Sequence, residues 1–436
     1  MSSSATRAGG SLAGNLRLFI AFRVLFNARF YYPVLGVLFL DLGLTLEQYA
    51  LLNAVWAATI LVLEIPSGAL ADLFGRRILV VAAGWLMVLE MAVFAFAPVG
   101  AWLFPMLLVN RVLSGMAEAC ASGADEALAY DSLAAEHREA QWREVLAGLV
   151  RWNSAAFFVV MILGALAFDR NVAASVGEWL GWGGANCVTT RWPVYMTLAM
   201  AWGALGCALA MREPPRSQGL AGRHPLRAAF ENVLGGARLV FSDSRIRVLL
   251  LSAVLLDSMV RIFLTFGSNY YRLIQLPEFV NGFMGSSYAL LGFAAAWLAR
   301  RMAARHTAFL AFGLVGVLVL VGLVGLLPAI PYWGVWVIVP FGLAMPMMHY
   351  FLSNYLNAWT ESGLRATVLS FRGVALNAGY GLAGLGFAGV VSVLRAESPG
   401  VSEDSLFARS LVSLPVAFLV GVVLLLPFLR CMRSRG

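Results

Sequence analysis

Twelve apolar stretches divide the chain almost without remainder, at about residues 15–41, 47–71, 77–98, 101–127, 144–168, 191–211, 246–268, 279–299, 306–328, 332–356, 367–394 and 406–430. Crossing a hydrocarbon core takes about 20 mostly apolar residues in helical form, and each stretch has that length. A lipid-exposed backbone must satisfy its own polar groups, so such runs are expected to be helices. Composition supports the same reading. The 436 residues are 61% hydrophobic and only 12% charged, and a water-exposed surface of that make-up would aggregate. The expected fold class is an all-α integral membrane protein with 12 transmembrane helices, whose solvent and partner is the lipid bilayer.

The net charge of +8 and the pI near 9.6 invite a nucleic-acid reading, which the distribution of charge argues against. The chain has no Lys, and its Arg side chains gather mainly in alternate short loops, as the positive-inside rule requires of a spanning protein. An even number of spans puts both termini on one side. The tail Arg430, Arg433 and Arg435 makes that side cytoplasmic, and the outer loops at 41–47 and 328–332 lack Arg. Cys120, Cys187, Cys207 and Cys431 have neither disulfide-framework nor metal-ligand spacing. No metal or cofactor is expected, and the protein is expected to be a monomer. Residues 1–14 contain no apolar core of their own, so no removable signal peptide is expected.

One polar interruption stands out. Residues 212–245 run through Arg212-Glu213-Pro214-Pro215-Arg216 and further Arg before hydrophobicity resumes. Within this stretch Leu226, Phe230, Val233, Leu234 and Leu239 recur near helical spacing, which predicts a surface-lying amphipathic helix. The expected domains are thus an N-terminal six-helix bundle over 1–211, a cytoplasmic linker over 212–245 and a C-terminal six-helix bundle over 246–436. The halves echo one another. Gly292, Ala296, Ala299, Arg300 and Arg301 repeat the spacing of Gly68, Asp72, Gly75, Arg76 and Arg77, as an internal repeat related by pseudo-two-fold symmetry would.

The segment Gly68-Ala-Leu-Ala-Asp72-Leu-Phe-Gly75-Arg76-Arg77 sits where an apolar run meets water. It resembles the loop between the second and third helices of the major facilitator superfamily. Gly68 admits a close neighbouring helix. Asp72 is suited to the positive N-terminus of a helix from the other half, with the helix starting near Arg365 as the natural partner. Arg76 then bridges toward an acid at the end of helix 4, for which Asp125 and Asp131 are the candidates. The family pattern usually has a basic residue after the acid, and this chain has Leu73 there. A second resemblance lies in Arg111-Val-Leu-Ser-Gly115-Met-Ala-Glu118, which matches the family's helix-4 pattern of Arg followed four residues later by Gly. In the family that Arg is linked to proton coupling or substrate binding. Together with Glu64-Ile-Pro-Ser-Gly68 and residues 122–133, these motifs resemble a bacterial branch whose members are mostly uncharacterised. The resemblance implies two bundles rocking about a central cavity in a bacterial inner membrane, and it carries no substrate with it.

Helices 1, 4, 7 and 10 line the cavity in that family, and here each holds polar groups. The candidates are Arg23 and Asn27 on one face of helix 1, Arg111 and Glu118 on helix 4, Asp257 and Arg261 as an i,i+4 pair on helix 7, and His349 on helix 10, with Glu64 of helix 2 less securely placed. Intramembrane charges are costly and either face a wet cavity or pair with one another. For Asp257–Arg261 plain self-pairing is the stronger reading, and for His349 hydrogen-bonded packing is. The expected function is secondary active transport of a small solute by alternating access, coupled to protons. Glu118 is the first candidate carboxylate, and the Arg excess hints at an anionic substrate. Multidrug or metabolite efflux is the alternative, disfavoured because helix 5 lacks the Gly-Pro signature of drug antiporters. A membrane-embedded enzyme or a sensor is a more distant alternative, since no large acidic outer loop or appended domain is present.

Overall fold

The computed structural model describes residues 2–133, 138–179, 189–214, 225–303, 305–360 and 365–433. The described residues contain no strand. In chain order the α-helices are α1 (Ser2–Asn27), α2 (Leu35–Asp41), α3 (Leu46–Phe74), α4 (Arg76–Phe96), α5 (Leu103–Ala121), α6 (Ala124–Asp131), α7 (Arg138–Phe168), α8 (Arg170–Trp179), α9 (Trp192–Ala210), α10 (Pro225–Ser242), α11 (Ser244–Leu273), α12 (Val280–Ala303), α13 (Ala308–Gly325), α14 (Ile338–Trp359), α15 (Arg365–Glu397), α16 (Glu403–Ser410) and α17 (Ser413–Arg433). Among the described residues they include 12 helical segments long and apolar enough to span a bilayer, with α8 and α10 outside them. Large apolar side chains such as Val62, Phe293, Val317 and Leu424 lie exposed, as befits a surface solvated by lipid tails.

Three apolar stretches are each split into two helices. The first breaks at Asn27, where a tight turn leads to a short 3-10 helix, Tyr32–Val34, before α2. Pro33 cannot donate a backbone hydrogen bond and disfavours helical geometry in the residue before it. The fourth breaks at Gly123, which has φ +75°, a left-handed conformation that glycine adopts without steric cost. The last begins as α16, whose N-cap Ser402 accepts a hydrogen bond from the Ser405 amide. Residues 225–242 form the single helix α10 where an amphipathic segment was expected. The short α8 was not expected.

The chain forms two compact units. One comprises residues 1–32 and 59–230, the other residues 33–58 and 231–436. Within the first, α4 packs against both α5 and α9, and α1 against α7 and α9. Gly164 of α7 lies so close to the Phe30 carbonyl that any Cβ there would collide with backbone. In the second unit α11 is the hub, with α2, α13, α14, α15, α16 and α17 around it. Gly379 lets α15 press onto α11, since a Cβ there would run into Val254 and Ser258.

Candidate functional site

The Gly75-Arg76-Arg77 turn ties together the ends of several helices in the first unit. Gly75, at φ +109°, ends α3 in a conformation closed to most side chains. Arg76 forms an ion pair with Asp131 of α6 and donates to the Ala127 carbonyl at 2.8 Å. Arg77 donates to the carbonyls of Leu209 at 2.9 Å and Met211 at 2.6 Å, satisfying orphan acceptors where α9 ends. The amides of Arg76 and Arg77 donate to the Glu213 carboxylate at 3.1 and 2.8 Å. Glu213 thereby serves as an anionic cap on α4, a role the linker composition around it concealed. The side chains of Asp72 and Arg365, and the surroundings of Gly68, lie outside the described residues.

Of the two acids considered for Arg76, Asp131 takes it and Asp125 does not. Asp125 is fully buried, pairs with Arg23 of α1 at 3.0 Å, and accepts from the Glu126 amide at 2.7 Å. One turn along α1, Asn27 donates to Asn153 of α7 at 3.1 Å. Arg111 is buried. Glu118 is half-buried and is the like charge that Glu64 feels. A further pair emerges beyond the expected set. Arg29, just past the end of α1, is 4% exposed and forms an ion pair with the fully buried Glu90 of α4. Tyr31 lies against the same guanidinium at 3.3 Å, and Asn110 donates to the Glu90 carbonyl at 2.7 Å. The available signal was an Arg and a Glu in separate apolar runs, neither with an acid or base one turn away in its own run.

The second unit gathers its polar groups around α11. Asp257 lies about 20 Å along the helix from its start, near the middle of the span, and is 1% exposed. Arg261 approaches its Oδ2 to 3.5 Å and His349 of α14 its Oδ1 to 3.5 Å. Both separations exceed a good hydrogen bond, and Oδ2 accepts none from the described residues. Arg261 is oriented elsewhere. It donates to Asn377 at 3.0 Å and lies 4.0 Å above the Tyr380 ring, whose hydroxyl sits 2.7 Å from Thr265. Half-buried Arg372 of α15 acts electrostatically on His349 together with Arg261. One guanidinium and one imidazole therefore face the Asp257 carboxylate, and Arg372 acts on the imidazole, an arrangement with spare capacity for an anion. Among the described residues no group of three or more His, Cys, Asp or Glu is placed to hold a metal.

The chain matches the Major Facilitator Superfamily profile over residues 17–384. It is similar in structure to a bacterial homologue of the human lysosomal transporter Spinster in an inward-facing, unoccupied conformation. The TM-score is 0.70 at 16% identity, covering 97% of this chain and 96% of that one. A variant of the nucleoside transporter NupG superposes with TM-score 0.69 at 14% identity, covering 94% and 99%. A D-xylose-proton symporter gives TM-score 0.61 at 12% identity, covering 94% and 96%. A search of curated proteins found no match. At such identities the likeness extends to the fold alone.

Proposed function

The chain belongs to the Major Facilitator Superfamily, and from that premise we propose that it carries a small anionic solute by alternating access, with a proton as coupling ion. Family and structural neighbours make it a multi-pass membrane transporter and not an enzyme. The finer reading rests on one observation, the buried Asp257 faced at 3.5 Å by both Arg261 and His349. A carboxylate at that depth with an unsatisfied oxygen is a place where a proton is taken up or lost. The surplus of Arg261 and Arg372 favours a carboxylate or phosphate on the solute. Glu118, close to Glu64, is a second proton carrier in the first unit.

The same reading gives residues 1–211 and 246–436 as the two bundles that rock, with 212–245 linking them. Gly68, Asp72, Gly75, Arg76, Arg77, Asp131 and Arg365 form the cytoplasmic gate, with Arg23–Asp125 bracing it from within. Both termini are cytoplasmic, the membrane is a bacterial inner membrane, and the working unit is a monomer.

A thermal-shift panel of carboxylates, organic phosphates, sugars and nucleosides tests the anion reading, because a ligand stabilises the state it binds. Anions are expected to stabilise the wild type and to lose that effect in Arg261→Gln. In proteoliposomes Asp257→Asn is expected to keep solute counterflow but lose accumulation driven by a pH gradient. A neutral solute stabilising wild type and Arg261→Gln alike would refute the anion, and normal accumulation by Asp257→Asn would refute its coupling role.

A further inference from the structure

A cleft of about 370 Å³ runs between α11, α13 and α17 in the second unit, within the range of about 300–1,000 Å³ usual for small-molecule sites. It is distinct from the Asp257 cluster. Leu249, Leu256, Phe312, Gly316, Phe418 and Leu425 are among its walls. Two glycines give it depth. A Cβ on Gly313 would meet nothing within 4 Å, and one on Gly316 only Phe418, at 4.0 Å. Rim side chains Phe309, Val317 and Leu419 are about half exposed, so the cleft opens outward, toward where the acyl chains of a bilayer would lie.

Its walls begin at Val248 near the start of α11 and at Ala308, the first residue of α13, and run to Leu426 of α17, so it lies toward one end of the helices. Exposed Arg245 precedes the lining residue Val248 by three positions, and exposed Arg305 precedes Ala308 by three. Arg245 stands one helical turn from the cleft on α11, and Arg305 lies in the turn that leads into α13. Arg247 adds a third cation, donating to the Phe241 carbonyl at 2.7 Å. Asp243 caps α11 by accepting from the Arg245 amide. An apolar slot with a cationic mouth at the membrane interface matches one ligand chemistry.

We propose that this cleft is a specific site for an anionic phospholipid, one acyl chain lying over Gly313 and Gly316 and the phosphate held by Arg245 and Arg305. A basic side chain near a membrane surface strengthens anionic-lipid binding by roughly five-fold. Scattered contact with bulk lipid would show no such headgroup preference, and a drug-like solute would not need the cationic mouth.

Native mass spectrometry of the full chain, titrated with phosphatidylglycerol or phosphatidylcholine, provides the test. Wild type is expected to retain one phosphatidylglycerol preferentially. Arg245→Gln with Arg305→Gln is expected to lower that affinity by at least ten-fold and leave phosphatidylcholine retention unchanged. Gly313→Leu with Gly316→Leu fills free space and is expected to abolish retention of the preferred lipid. Equal retention of both lipids would overturn the proposal. So would undiminished phosphatidylglycerol binding in either double variant, or a protein dimer that disappears when the cleft is filled. Should the filled variant misfold, the arginine variant decides alone, because its side chains are exposed.

Discussion

Arg29 and Glu90 illustrate how a charge survives in an apolar interior, since each is almost wholly removed from solvent and the other is its counter-ion. Removing one partner leaves an uncompensated buried charge, which costs about 3–5 kcal/mol, whereas replacing both with apolar groups of similar volume is close to neutral. Glu90→Leu is therefore expected to lower the melting temperature sharply and to reduce monodisperse yield in detergent. Arg29→Met with Glu90→Leu is expected to recover most of both. Recovery of fold without recovery of transport would give the pair a part in the cycle beyond packing. Much of this residue-level picture was legible as charges within apolar runs, as Arg23, Arg111 and Asp257 were. The pairings were not. Asp125 and Asp131 were equal candidates for Arg76 on sequence, but they stand on different faces of α6, one meeting Arg23 and the other Arg76.

At the level of elements, the N-terminus of α4 is held by groups distant in sequence. Glu213 accepts from the Arg76 and Arg77 amides, and Arg77 covers the end of α9. Loss of a helix cap costs about 1 kcal/mol, so Glu213→Ala is expected to lower stability by that order, read as a modest fall in melting temperature. Gly75→Ala is expected to cost more, because φ +109° is strained for any residue with a Cβ. Equal stability of Gly75→Ala and wild type would mean the turn adopts another conformation. Hydropathy revealed the spans because bilayer length is written in it, yet it passed over the breaks after Asn27 and Ser410. Apolar residues continue through both, and Pro33 was the one local sign of the first.

On the scale of the molecule, residues 33–58 belong to the compact unit that also contains 231–436. Arg395 holds Glu47 and Glu403, Arg272 holds Asp41, and Ser268 Oγ accepts from the Gly36 amide at 3.1 Å. A hydropathy pattern cannot carry this, because it encodes how many helices there are and not which ends associate in a given state. In the proposed alternating-access cycle the first bundle would release these contacts once per turnover, since residues 33–58 are joined covalently to it. A Cβ on Gly36 would lie 2.9 Å from Ser268 Oγ, and Cβ atoms about 3.5–4.5 Å apart can be bridged by a disulfide. Gly36→Cys with Ser268→Cys, in a chain with Cys120, Cys187, Cys207 and Cys431 replaced by Ser, is expected to cross-link on oxidation as the Asn269 amide swings aside. The oxidised protein is expected to lose transport in proteoliposomes and to regain it with dithiothreitol. Full transport by a quantitatively cross-linked protein would mean that this segment stays with the second unit throughout, and the pivot would then have to lie within α3 near Ala58.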